Sequence, residues 1–277
     1  VKIANPKFCI LILIILTLIE CSLTGYIGWW REGFWSAVQS RNLDKFFIYI
    51  GMFSIAALTT CFVSSYSQYI ISYTSLIYRH KLSRKALKIV HKVDVEGKEQ
   101  RVQEDCFNFP FYLISLIVGF TKNFIILLVF LGILIHQLGL FYLIFPITYA
   151  IIGTWIAAKL AKPLLNINYL NQMLEAKFRR MLTKISYSKV HKNNLVLFKA
   201  TKKLAYFQYF YNQITVIIPY LVLYPIYFSA KITFGVFMQC ASSMNQIIEC
   251  LSYFINSFND INKFRSCKKR LNELGII

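Results

Sequence analysis

Acidic residues are scarce in this chain: Asp and Glu total 12 against 31 Lys and Arg, for a formal net charge of +19. Phosphate-cradling motifs are missing altogether. No G-x-x-x-x-G-K-[ST] appears, so the nucleotide grip of a P-loop is not written here. The seven cysteines (Cys9, Cys21, Cys61, Cys106, Cys240, Cys250 and Cys267) form no C-x-x-C, and they read as small apolar fillers in or beside hydrophobic segments. His80, His91, His136 and His191 have no pair at ligand spacing, which argues against a zinc or iron site. With no G-x-S-x-G, H-E-x-x-H or anchored Ser/His/Asp grouping, nothing supports catalysis, and neither an enzyme nor a cofactor is expected.

What the chain has is hydrophobic length. Apolar stretches run over 8–27, 46–77, 111–135, 138–161, 206–228 and 232–254. Crossing about 30 Å of hydrocarbon takes roughly 20 helical residues, and each stretch is long enough. Hydrophobic residues make up 57% of the composition, more apolar surface than one water-soluble core could bury. The expected fold class is therefore an all-α membrane protein with six transmembrane helices, in a single transmembrane domain over 1–277.

Such a positive charge could signal nucleic-acid binding, but the positions of the basic residues decide against that partner. Arg79, Lys81, Arg84, Lys85, Lys88, Lys92, Lys98 and Arg101 crowd one connection, and 159–203 is as dense. The other connections carry only Arg31, Arg41, Lys45 and Lys231. By the positive-inside rule the basic loops 79–108 and 162–203 and both termini are cytoplasmic. The charge then reads as topology and contact with anionic membrane lipids. The first stretch lacks a small-x-small cleavage site, so it reads as a retained helix rather than a signal peptide. Trp29, Trp30 and Trp35 after it read as interface anchors.

Few helix breakers occur in the two basic loops, so 78–93 and 170–203 are expected to be helical extensions of the spans. Short outer and long inner connections are the span pattern of exporter-type ATP-driven transporters. The residues after 254 are too few for a nucleotide-binding half.

Polar residues inside the spans carry the functional signal. Gln239, Ser242, Gln246, Glu249, Tyr253, Asn256 and Asp260 recur at alternating steps of three and four, which puts them along one side of a helix. Ser64, Gln68, Ser72, Ser75 and Arg79 repeat the theme in the second stretch. Lipid cannot hydrogen-bond such stripes, and a central charge costs on the order of 2.5–3.5 kcal/mol. The two faces either line a shared polar cavity or bond helices together, at about 1 kcal/mol or less per contact. Low dielectric pushes a carboxyl group's titration toward neutral pH, so a carboxylate at membrane depth can load and release protons. Glu20 and Glu249 are the candidates within the spans, with Glu104, Asp105 and Asp260 near the cytoplasmic mouth.

Three segments carry a family resemblance. Gln100-Arg101-Val102-Gln103-Glu104-Asp105 resembles the Q-R-[VI]-x-E-D signature of the SbmA/BacA family of bacterial inner-membrane peptide transporters, shared with peroxisomal-type ATP-driven half transporters. Residues 30–39 (WREGFWSAVQ) resemble W-x-x-x-F-[YW]-x-A-[LV]-Q, and 232–239 (ITFGVFMQ, with Gly235 and Gln239) resemble the I-T-x-G-x-[LF]-M-Q element before an L-S-x-F. Glu175 to Arg179 is similar to an E-x-x-F-R element, but the acidic stretch expected beyond it is replaced by LTKISYSKVHK at 182–192.

The resemblance implies an exporter-like membrane fold and a domain-swapped homodimer that imports peptides, such as antimicrobial peptides, down a proton gradient. It also implies a longer N-terminus than this sequence shows. Two other readings stay open: the membrane subunit of an ATP-driven transporter whose ATPase is a separate chain, or a reduced, inactive member.

Overall fold

A computed structural model describes residues 5–90, 101–160 and 187–276. Helices account for every regular element among them, with no strand. Helix α1 (Pro6–Gln39) starts where the Asn5 side chain accepts from the Lys7 N–H at 3.1 Å, with Pro6 in the first turn, where a missing N–H costs nothing. It ends at Ser40, and Arg41 takes a left-handed φ of 53°. Asn42 then accepts from Lys45 N at 3.0 Å to open α2 (Leu43–Val90).

A single π turn, Arg101–Asp105, leads directly into α3 (Cys106–Leu138). Gly139, at φ 81°, closes α3 by returning its N–H to Ile135 O at 2.9 Å, a conformation open to glycine without strain. Helix α4 (Leu140–Leu160) begins with a 3₁₀ turn, Leu140–Leu143. Helix α5 (Tyr187–Phe228) contains Pro219 and Pro225. The Thr233 hydroxyl caps α6 (Phe234–Leu251) by accepting from Val236 N at 3.3 Å. A short α7 (Tyr253–Asn256) and α8 (Phe258–Glu273) complete the order.

Among the described residues four helices are long and apolar enough to cross a membrane: Pro6–Gln39, Leu43–Ile89, Val102–Leu138 and Leu140–Leu160. The expected stretches 206–228 and 232–254 fall largely on α5 and α6. Helix α2 continues well past its apolar run, as expected for a helical extension, and 187–203 is helical too. The region expected as an outer connection after 28 differs. There α1 runs on to Gln39, leaving a turn of only three residues before α2. Trp29 stays exposed as an interface residue would, whereas Trp30 is buried, stacks on Phe34 at 4.7 Å and donates Nε1–H to Tyr49 O at 2.8 Å.

Two compact units share the chain. The first holds the described residues up to Ser72 together with 117–153 and 211–254. Its core joins Cys21 of α1, Ile126, Phe130 and Leu134 of α3, Leu223 of α5, and Cys240, Ala241, Met244 and Ile247 of α6. Gly235 keeps α6 thin where it meets α1; a Cβ on it would strike the Glu32 carbonyl and the Ser36 side chain. The second unit holds the described residues of 73–116, 154–210 and 255–276. Its core packs Ala86, Cys106, Leu271, Leu274 and Ile276 against Leu82, Val102 and Phe109. Six of the seven cysteines are buried, in line with a filler role, and Cys61 is exposed.

Candidate functional site

In the first unit, α1 and α3 each bring one charge to the same place. Glu20 is the single charged residue of the stretch 8–27, and Lys122 is the single charged residue of 111–135. The Lys122 ammonium donates to Glu20 Oε2 at 2.5 Å. The carboxylate is 6% exposed and the ammonium side chain 36%. Cys21 donates its Sγ–H to Lys122 O at 3.7 Å, a second tie between the helices. Bringing the two ions together removes a net charge that neither helix could carry alone in a low-dielectric setting.

About 16 Å further along α1, by its rise per residue, a second polar set joins α1, α3 and α6. Arg31 donates to the Ser242 hydroxyl. The Gln137 side-chain N–H₂ serves Glu32 Oε2 at 3.1 Å and Gln239 Oε1 at 3.0 Å, and Gln239 Nε2 donates to Gly28 O at 3.3 Å. Gln239 and Ser242 are thus spent on helix-to-helix hydrogen bonds, one of the two uses open to a polar stripe.

The rest of that stripe winds off this face. A three-four repeat averages 3.5 residues and the helix 3.6, so Glu249 lies about 80° round from Gln239. Gln246 is half-buried and donates to Glu249 Oε2 at 3.3 Å, and Glu249 is exposed. Tyr253 is half-buried, its ring lying against Gly119. In the second stretch Ser64 is half-buried, Gln68 and Ser72 are exposed and Ser75 is buried.

In the second unit the signature-like segment forms the π turn. Such turns let one extra residue into a helix and recur at functional positions. Glu104 is exposed, while Asp105, 1% exposed, accepts from Arg270 Nη2 of α8 at 2.5 Å. Phe109 stacks on Phe264 at 5.2 Å, and Lys85 donates to Ile276 O at 2.6 Å, so α8 is held at several points. Burial first, then the Asp105 carboxylate, push the nearby Cys267 thiol up to about 11, against the opposing pull of Arg270. Asn256 is exposed, and Asp260 is exposed beside Lys263 at 3.8 Å. Gln100, Glu175 and Arg179 lie outside the described residues, as does the side chain of Arg101.

Sequence reasoning missed Lys122, Gln137 and Arg270, and it treated Arg31 and Glu32 as parts of a connection. The rule that singles out Glu20, one charge in a long apolar stretch, applies equally to Lys122. No sequence signal marks Gln137 or Arg270, whose roles depend on helix packing.

Residues 8–276, nearly the whole chain, match the SbmA/BacA-like family. The chain belongs to that family. Among its relatives is ABC transporter D family member 2, chloroplastic, of Arabidopsis thaliana, 27% identical over 208 residues that cover 67% of this chain and 29% of the relative. An uncharacterized ABC transporter ATP-binding protein of Synechocystis is 25% identical over 65% of this chain and 30% of its own length. Another from Haemophilus influenzae is 24% identical over 85% of this chain and 47% of its own. The SbmA/BacA-like chain thus spans less than half of each of these relatives. Family membership, these likenesses and several long apolar helices support a membrane transporter.

Proposed function

We propose that this chain is the membrane-spanning part of a proton-coupled importer of peptides, antimicrobial peptides among them. In this reading it works in the bacterial inner membrane as a domain-swapped homodimer of six-span subunits, with both termini and the basic segments cytoplasmic. The observation that carries the proposal is the Glu20–Lys122 pair, a lone anion and a lone cation from two apolar stretches brought to 2.5 Å. Intramembrane ions of this kind mark ion and proton pathways. Protonating Glu20 abolishes the ion pair that ties α1 to α3, so a proton would loosen a helix contact and its release would restore it. Glu249, Glu104, Asp105 and Asp260 are the further proton carriers in this scheme. Gln68, Ser72 and Tyr253 are its cavity-lining groups.

One test is uptake of a labelled cationic, proline-rich peptide into proteoliposomes under an imposed inward proton gradient, without ATP. Uptake that an uncoupler abolishes supports the proposal. A gradient that drives no uptake into vesicles holding folded dimer sinks it.

The relatives favour a second reading, because each is named as an ABC transporter protein. Here the chain is the membrane subunit of an ATP-driven transporter whose ATPase is a separate chain. Uptake would then need the partner and ATP, ignore the uncoupler and stop with vanadate.

A further inference from the structure

Three helix segments of the second unit share a local pattern that the transport scheme does not use. On α2, Lys81 Nζ sits 5.6 Å from the centre of the Tyr78 ring, four residues past the end of the apolar run at 77. On α4, Lys159 Nζ sits 5.3 Å from the Trp155 ring, near the end of the run at 161, and Trp155 is 65% exposed. On α5, Lys202 and Lys203 are exposed and stand just ahead of Tyr206, itself 72% exposed, where the run 206–228 begins. At 1.5 Å per residue these cations lie within about 6 Å of where their apolar runs end. That distance matches one headgroup layer, about 5–7 Å when the hydrocarbon thickness is subtracted from the whole bilayer.

We propose that these ends of α2, α4 and α5 bind anionic phospholipid headgroups, with the Tyr78 and Trp155 rings steadying Lys81 and Lys159 at headgroup depth and Lys202 and Lys203 adding charge beside Tyr206. The inference rests on the membrane placement of the proposed function and on none of its chemistry. Aromatic rings with one apolar and one polar face settle at this depth, and the ring face steadies the ammonium by cation–π attraction. The phosphate of the headgroup supplies the anion, and each cation near an anionic surface adds separately to the attraction. An acidic protein segment would fit the charge alone. It gives no reason for aromatic rings to stand beside these cations at the ends of three apolar runs.

The test measures lipid selection. The protein is reconstituted in phosphatidylcholine bilayers with trace spin-labelled phosphatidylglycerol or spin-labelled phosphatidylcholine, and the immobilised fraction of each label is read by electron spin resonance. At low salt the phosphatidylglycerol label should be immobilised several-fold more than the other, and high salt should shrink the excess. Replacing Lys81, Lys159, Lys202 and Lys203 together by Gln should remove most of it, and the same four changes to Arg should keep it. Equal immobilisation of the two labels by the unaltered protein overturns the proposal, and that comparison needs no variant to fold. An excess untouched by the four Gln changes also overturns it and hands these cations to an acidic protein partner. Transport is not part of the readout, so a chain that selects anionic lipid yet imports nothing would sink the transport proposal alone.

Discussion

Glu20 and Lys122 are each the lone charge of an apolar stretch, and removing one of them tests what the pair contributes. Lys122→Met leaves the Glu20 carboxylate buried without its cation, a loss of about 3 kcal/mol or more. Thermal unfolding in detergent should show the drop, and the double change Glu20→Leu with Lys122→Met should recover most of it, because two apolar side chains need no counter-ion. Cys267 gives a pH-dependent readout at the same scale. Its thiol, held up to about 11, stays protonated at pH 8, whereas the thiolate is the reactive form. Maleimide at pH 8 should therefore spare Cys267. The Cys267 rate should climb about tenfold per pH unit until pH approaches 11. Rapid labelling of Cys267 at pH 8 would show that α8 does not stay docked.

Helix α6 shows what close approach demands of an element. Gly235 meets the Glu32 carbonyl of α1, which as backbone cannot swing aside. Gly235→Val should push the two helices apart and break the Arg31–Ser242 and Gln137–Gln239 contacts together. Unfolding free energy should fall by more than the 1 kcal/mol or so that each polar contact contributes alone. Gly51→Ala, where open space surrounds the added carbon, should be nearly silent.

Helix lengths were the most legible part of the sequence, since apolar runs and scarce breakers set them directly. The end of α1 was not. Arg31 and Glu32 look like loop charges, yet the structure keeps them helical because Ser242 and Gln137 satisfy them. Glu20 was legible from its surroundings, and its partner could have been. The fates of Gln239 and Glu249 were not legible, because a three-four spacing sets a side of the helix only to within about 80° and says nothing of what packs there.

At the scale of the whole molecule, charge sorts the chain before any contact does. Basic residues gather around 79–101 and 159–203, and the few carboxylates in the apolar stretches become the natural probes of coupling. In the transport assay, Glu20→Gln and Glu249→Gln should each lower uptake under a proton gradient and flatten its pH dependence. Peptide binding measured without a gradient should be retained. Unaltered rate and pH dependence in both variants would remove these two carboxylates from the proton path.

The π turn at Arg101–Asp105 holds one residue more than an α turn would. That surplus makes the segment tolerant of length change in one direction only. Deleting Gln103, whose side chain is exposed, can be absorbed by tightening the turn to an α turn, leaving Asp105 facing Arg270. Adding a residue there instead rotates the flanking chain by about 100° per residue and turns the carboxylate away from its partner. The shortened chain should keep Cys267 shielded from maleimide and the lengthened one should not. A coding-sequence gap of one codon is thus a change this family member can survive at the entrance to α3, where a one-codon insertion is not.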